Sequence, residues 1–392
     1  METSTEFSYT FNHKKRGRAI IIVNGDFNEY FDEPVLINGK PERERTGLSK
    51  RTCVQNEMKM MKKFFQTLGF NIKCYNDLKA IEMKNVLKQA AENEGKKEEA
   101  DCFACVICSH GIQAPETETK STRVYLQHGV AGVDGYFVLI EDIISFFETS
   151  NCPALENKPK LFFFQACRGN AEAKTYYENF DVGIPVSLIP NRDCKTKIDT
   201  IDKLDRKDFD VEISDADTDS EADDVDYQVS AQLDKSDSPG IYRLPRTDGD
   251  NIDTYGLPPD TGHSDVEIVS IPCYSDMLLM FASSEGKFAF SSGLGGWLIQ
   301  SLYYTMKEYG FKHMDLLTFL NMVTYETVQT RAFNPPKPDD KTDIWRHKNW
   351  IYYGSKVTPY ITHMLRGDIY FNDSKLKTKK SVIEKNEEIL KI

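Results

Sequence analysis

Hydrophobic residues in this chain cluster into short dense runs, separated by longer stretches in which they recur at helical spacing. Arg18–Val23 (RAIIIV), Cys102–Cys108 (CFACVIC), Leu161–Phe164 (LFFF) and Met277–Ala282 (MLLMFA) are the densest runs, as expected of strands covered on both faces. Asn71–Tyr75 reads as a further strand. Between the first two, Val54, Met58, Met61, Phe65 and Leu68 mark one helical face, and Gly69 marks its stop. Residues 78–95 read as the next helix, with Asn76 or Asp77 as its cap. Helices are also expected at Glu141–Glu148, Leu294–Tyr309 and Met314–Thr330, and late strands at Lys356–Leu365 and Asp368–Phe371. Strands alternate with helices throughout. That order predicts an α/β protein with a mainly parallel sheet, helices on both faces and right-handed crossovers.

Three stretches break the alternation. After His110 a long polar excursion spans 112–135, and a polar loop, Asn334–Gly354, carries Trp345 and Trp350. Asp199–Ser238 holds 15 Asp or Glu against 4 Lys or Arg, a net −11 within a chain of net −12. With so little apolar surface it cannot offset its ordering entropy, and a solvated, disordered tether between two folded parts is expected. The tail Asn372–Ile392 is rich in Lys and Glu and is placed outside the core. No internal repeat is visible.

Composition narrows the classes. At 392 residues and 40% apolar content the chain can build one large domain or two ordinary ones. No apolar run approaches the roughly 18 residues of a membrane span, and no signal-like segment opens the chain. Nine cysteines, an odd number without disulfide-like spacing, fit a reducing compartment. A cytoplasmic protein is therefore expected, with neither membrane nor nucleic acid as partner. Cys102, Cys105, Cys108 and His110 resemble a metal cluster only on paper. On a strand Cys102 and Cys108 face one side and Cys105 the other, so no metal is predicted there.

The chemistry gathers at KPKLFFFQACRG, residues 158–169. The apolar run ends abruptly in Gln165, Ala166, Cys167, Arg168 and Gly169, which places a cysteine at the end of a strand. Open parallel sheets bind ligands outside the carboxyl ends of their strands. His110 ends a second such strand, CVICSHG, 57 residues earlier. A lone cysteine is usually an inert buried thiol. A cysteine and a histidine at two strand ends that share a cleft make a nucleophile and a base.

The pentapeptide QACRG with its upstream histidine resembles the caspase signature. Other blocks resemble the same family in the same order: YTFNHKKRGRAIIIVNGDFN, the helix over 52–68 before LGF, NDL, SHG, SIPCYSDMLLMFASSEG and GWLIQSL, across about 350 residues. The resemblance implies a three-layer α-β-α caspase-like sheet in the short-prodomain, executioner-like arrangement. It divides the chain into a short N-terminal propeptide (1–17), a large-subunit portion (18–190), an acidic inter-subunit linker (191–265), a small-subunit portion (266–371) and a charged tail (372–392).

The same resemblance assigns roles. Cys167 would attack the peptide carbonyl, His110 would protonate the leaving amine, and the N–H groups of Gly111 and Cys167 would hold the oxyanion. In the family two arginines and a glutamine grip a substrate aspartate. Gln165 matches the glutamine. Arg51 takes the first arginine's place when residues are counted back from Leu68, with Arg45 as the alternative. The second arginine's place falls on Ser291, and the neighbouring tryptophan's on Phe290. Asp226 in DDVD and Asp253 in GDNID are the candidate processing sites. The implied function is hydrolysis after aspartate in protein substrates, in apoptosis, by a zymogen cut in its linker and activated by itself or an upstream caspase. The alternative is a catalytically weak decoy that regulates an active paralogue. The family pairs through its last small-subunit strand, matched by 356–365, which implies a homodimer or a heterodimer with a caspase paralogue. No cofactor is implied.

Overall fold

The structure, a computed structural model, describes residues 8–11, 15–32, 35–37, 40–43, 45–94, 100–115, 124–168, 241–242, 266–267, 273–285, 287–311, 314–331 and 356–371. Its strands are β1 (Lys15–Val23), β2 (Val35–Ile37), β3 (Lys40–Glu42), β4 (Asn71–Asn76), β5 (Ala100–Cys108), β6 (Gly111–Pro115), β7 (Val124–Ala131), β8 (Phe137–Leu139), β9 (Lys160–Gln165), β10 (Ile241–Tyr242), β11 (Val266–Glu267), β12 (Met277–Phe281), β13 (Ser291–Ser292), β14 (Gly295–Gly296) and β15 (Tyr360–His363). Its α-helices are α1 (Val54–Thr67), α2 (Ala80–Glu94), α3 (Ile140–Ser145), α4 (Trp297–Tyr309) and α5 (Leu316–Thr330).

Six strands form the central sheet in the order β15-β12-β9-β5-β1-β4. All neighbours pair in parallel except β15, which runs antiparallel to β12. Strand side chains alternate between two cores, as a period of two demands. Ile21, Val106, Phe163 and Met280 face α1, α4 and α5, whereas Ile20, Ile107, Phe162 and Phe281 face α2 and α3. The cysteines of β5 divide as expected, Cys102 and Cys108 on the first side and Cys105 on the second. This is the α/β three-layer arrangement expected from the alternating pattern. No helix among the described residues is long and apolar enough to cross a membrane.

Several local expectations change in the fold. Asp77 does not cap α2. It sits at φ 52°, a conformation Asp tolerates, and accepts the N–H groups of Gly25 and Asp26 at 2.8 and 2.9 Å. The α2 end is held instead by Asp134, which accepts from the Ala80 N–H at 3.1 Å, and by Glu82, which accepts from Lys79 at 2.8 Å. The excursion after His110 is not a mere interruption, since β6 and β7 pair antiparallel within it. Ile241–Tyr242, in the stretch expected to be linker, pairs with β8, and Asp368–Phe371 forms a single bridge to Ser8 rather than a strand. The rest of the acidic tract, the loop 334–354 and the tail lie outside the described residues.

Residues 8–11, expected within a propeptide, pack onto the end of the small-subunit portion. The Tyr9 N–H donates to Asp368 O at 2.9 Å and the Tyr9 hydroxyl to Asp276 Oδ1 at 2.6 Å. Asp276 is buried at φ 62° and accepts both Nε and Nη2 of Arg366 at 2.8 Å. Burial pushes the Tyr9 phenol up to about 12, so the hydroxyl keeps its proton for this bond. Phe163→Ala, at a side chain 1% exposed, is expected to cost about 3–5 kcal/mol in urea unfolding; Tyr325→Ala, at a residue 63% exposed, is expected to stay within about 0.5 kcal/mol.

Candidate active site

Because β1, β5, β9 and β12 run in parallel, their carboxyl ends lie along one edge. Val23 stands opposite Cys108, Cys108 opposite Gln165, and Phe164 opposite Phe281. Asn24, His110 and Cys167 follow those ends. Asn24 ties the edge together while fully buried. Its side chain donates to Leu78 O at 3.1 Å and Ala131 O at 2.9 Å and accepts from the Leu78 N–H at 3.0 Å. The pairing of β5 with β9 continues past the strands, where the Ser109 N–H donates to Gln165 O at 3.1 Å. Two residues on, the chains touch. A Cβ on Gly111 would lie 2.3 Å from Cys167 O, 2.7 Å from Ala166 Cβ and 3.1 Å from Cys167 N, so only glycine passes.

His110 is partly buried against the Phe27 ring, centroid to centroid 4.7 Å, and its Nε2 lies 2.8 Å from Ser49 O. Nε2 must carry a proton to make that bond, which leaves the Nδ1 lone pair as the proton acceptor. Burial pushes the imidazole below its ordinary value, the Ser49 carbonyl opposes that, and the charge of Arg51 adds to it. Cys167 is half-buried. Its sulfur accepts from the Ala289 N–H at 3.4 Å and faces Ala289 O at 3.7 Å. Burial pushes the thiol up, while the Ala289 N–H and the Arg51 cation pull it down. At neutral pH both groups are uncharged, and Arg51 acts on each.

Of the two candidate arginines, the fold brings Arg51 to this edge. Arg45 is exposed and pairs with Glu29 at 3.1 Å, over the Tyr30 ring. The Arg51 side chain is 10% exposed. Its Nη1 donates to Asn24 O at 2.7 Å, and its Nη2 lies 2.8 and 2.9 Å from the two oxygens of Glu57, itself 0% exposed. Glu57 Oε1 also accepts the Gly296 N–H at 2.8 Å. Gln165 is buried, accepts the Leu298 N–H at 3.2 Å and donates to Phe290 O at 3.4 Å. Phe290 stacks on Trp297 at 4.8 Å, and Ser291 is exposed on β13. Cys167, His110, Gly111, Arg51, Gln165 and Phe290 are thus knit into one neighbourhood. Asp226 and Asp253 lie outside the described residues.

Sequence reading missed Ser49, Ala289 and Glu57. The first two act through backbone atoms, which no side-chain pattern reports. Glu57 did leave a signal, since it stands three residues after Val54 and four before Met61, on the apolar stripe of α1. Behind the nucleophile, Arg168 is 1% exposed, donates to Glu285 at 2.8 Å and lies over the Phe281 ring at 4.1 Å. Its backbone N–H donates to Lys287 O at 2.9 Å. Among the described residues no group of three or more His, Cys, Asp or Glu could hold a metal ion.

Comparison with known proteins bears on the family and the fold. Residues 16–370 match the family model of the caspase domain. The chain is 25% identical over 366 residues to caspase-7 of Gallus gallus, covering 93% of this chain and 80% of that protein. It is 32% identical over 179 residues to caspase-8 of Mus musculus, covering 45% of this chain and 30% of that one. The crystal structure of caspase-1 from Spodoptera frugiperda matches with a TM-score of 0.55 and 21% identity, over 95% of this chain and 98% of that one, a likeness of fold. With a cysteine and a histidine at adjoining strand ends of such a sheet and the family model spanning nearly its whole length, the chain belongs to the caspases, a family of cysteine-type peptidases.

Proposed function

We propose that this chain is a cysteine endopeptidase that hydrolyses peptide bonds in protein substrates, with Cys167 as nucleophile and His110 as base and acid. The single observation that carries the reading is the approach of Gly111 to the Cys167 backbone, which leaves no room for a Cβ. It sets the residue after the histidine beside the nucleophile. In the proposed reaction the Cys167 thiol gives its proton to His110 Nδ1 as sulfur attacks the carbonyl carbon. The N–H groups of Gly111 and Cys167 hold the resulting oxyanion, each worth about 3 kcal/mol. His110 then protonates the departing amine, and water releases the acyl group. Ser49 O supports this cycle by accepting from Nε2 throughout, which stabilises the imidazolium when it forms.

Cleavage after aspartate is the family's expectation, with Arg51 and Gln165 as the groups on this chain that would meet that side chain. Loop segment 287–296, KFAFSSGLGG, supplies no arginine. A second reading, a weakly active decoy that acts by pairing with an active paralogue, is favoured by that absence. Dimerisation through β15 belongs to both readings. The strand closes one edge of the sheet, and Tyr360 on it and Met364 just after it are 39% and 54% exposed. Production as a zymogen cut at Asp226 or Asp253, a cytoplasmic location and a role in apoptosis complete the proposal.

The test is hydrolysis of a fluorogenic tetrapeptide with aspartate before the scissile bond. Wild type is expected to turn it over, Cys167→Ala is expected to be silent, and Ser291→Arg is expected to raise kcat/KM about tenfold or more through a restored bidentate contact. A silent wild type with an active Ser291→Arg variant selects the decoy reading. Gly111→Ala is expected to lower kcat/KM by about a hundredfold or more, since the strand ends must part and a donor shifts. The protonation states set a pH profile. A thiol held above its ordinary value is mostly protonated at pH 7, and its thiolate fraction rises about tenfold per pH unit. Alkylation of Cys167 by iodoacetamide is therefore expected to keep climbing beyond the ordinary thiol value. A plateau below neutrality would mean a thiolate–imidazolium pair instead.

A further inference from the structure

The recognition wall beside Cys167 holds a carboxylate of its own. A guanidinium offers two edges along which a carboxylate docks with two parallel N–H bonds, and both edges include Nη2. In Arg51 that nitrogen lies 2.8 and 2.9 Å from the two oxygens of Glu57, and Nη1 is committed to Asn24 O at 2.7 Å. Both edges therefore share a nitrogen that is already bonded to Glu57. Glu57 is also fixed where it stands, because Oε1 accepts the Gly296 N–H at 2.8 Å and the Cys53 thiol lies 3.5 Å away. The carboxylate is 0% exposed, so water does not screen it. Gln165, the other polar group of the wall, gives its oxygen to the Leu298 N–H and one amide N–H to Phe290 O.

From this arrangement we infer that Glu57 is a specificity-determining residue: it occupies Arg51 from within, makes the wall neutral, and removes selection for aspartate over its uncharged isostere asparagine at the residue before the scissile bond. The inference rests on the reading of this cleft as one that takes a peptide, and it names the side chains that cleft accepts. A substrate aspartate entering here meets one cation and one anion a few ångströms apart. Its charge gains nothing over an amide of the same shape. Replacing Glu57 by glutamine keeps an oxygen for the Gly296 N–H and removes the competing charge.

Binding tests this without asking the protein to catalyse. Two fluorescent peptides identical but for Asp or Asn before the scissile bond are titrated against full-length Cys167→Ala protein by anisotropy. The expected dissociation constants agree within about threefold. Adding Glu57→Gln is expected to favour the Asp peptide by about tenfold or more, with thermal melting confirming the fold. The double variant Arg51→Met, Glu57→Met removes the pair as a unit and is expected to leave the Asp:Asn ratio unchanged. A tenfold preference for Asp before any change at 57, an unmoved ratio in Glu57→Gln, a tenfold change of the ratio in the double variant, or no binding of either peptide would overturn the inference. Hydrolysis by protein with Cys167 intact reports separately on the endopeptidase reading. Loss of turnover with the binding ratios as expected would sink that reading and leave the role of Glu57 standing.

Discussion

Two strand ends pass so close at Gly111 and Cys167 that a single methyl group cannot stand between them. Everything chemical in the molecule depends on that approach. It exists because β5 and β9 pair in parallel and in register from Phe103 and Lys160 onward, with every residue of both strands buried. A parallel sheet covered on both faces leaves polar side chains only at the ends of its strands. Asn24, His110, Gln165 and Cys167 are therefore gathered at one edge by the same burial that stabilises the sheet. Cys167 is positioned by the core rather than by a loop of its own.

The second constraint is a buried charge. Arg51 and Glu57 both leave water, and removing two ions from water costs several kcal/mol each unless partners replace it. Here the replacement is complete enough to link three distant segments: the end of β1 through Asn24 O, helix α1 through Glu57, and the turn before α4 through the Gly296 N–H. Such a network trades stability for definition of shape. It also reaches the dyad, since the Arg51 cation lowers the affinity of His110 for a proton and eases ionisation of Cys167. Burial works against the thiolate more strongly, so at neutral pH the Cys167 thiol and the His110 imidazole are both uncharged.

Features local in the chain were legible before the fold. The apolar runs at 18–23, 102–108, 161–164 and 277–282 became central strands, and the 54–68 stripe became α1, because burial on two faces or on one stripe imposes a period that neighbours in sequence display. The same logic split the β5 cysteines between two cores. Where the expectation slipped, a partner from far along the chain had intervened. Asp77 has the chemistry of a helix cap, yet the backbone of Gly25 and Asp26 claims it and Asp134 serves α2. The stretch after His110 looks like a polar loop until β6 and β7 are laid against each other.

By itself the sequence determined the class of fold, the order of its elements, and which cysteine and which histidine stand at strand ends, since these follow from periodicity and from a motif whose residues are contiguous. Tertiary structure alone decided that Glu57 holds Arg51, and that Ser49 and Ala289 contribute backbone atoms. Those choices are pairings between residues up to 239 positions apart, as for Gly296 and Glu57, and their energies depend on distance and burial in space. No pattern along the chain carries that information, because a carboxylate on an apolar stripe becomes a clamp only when a guanidinium is folded against it.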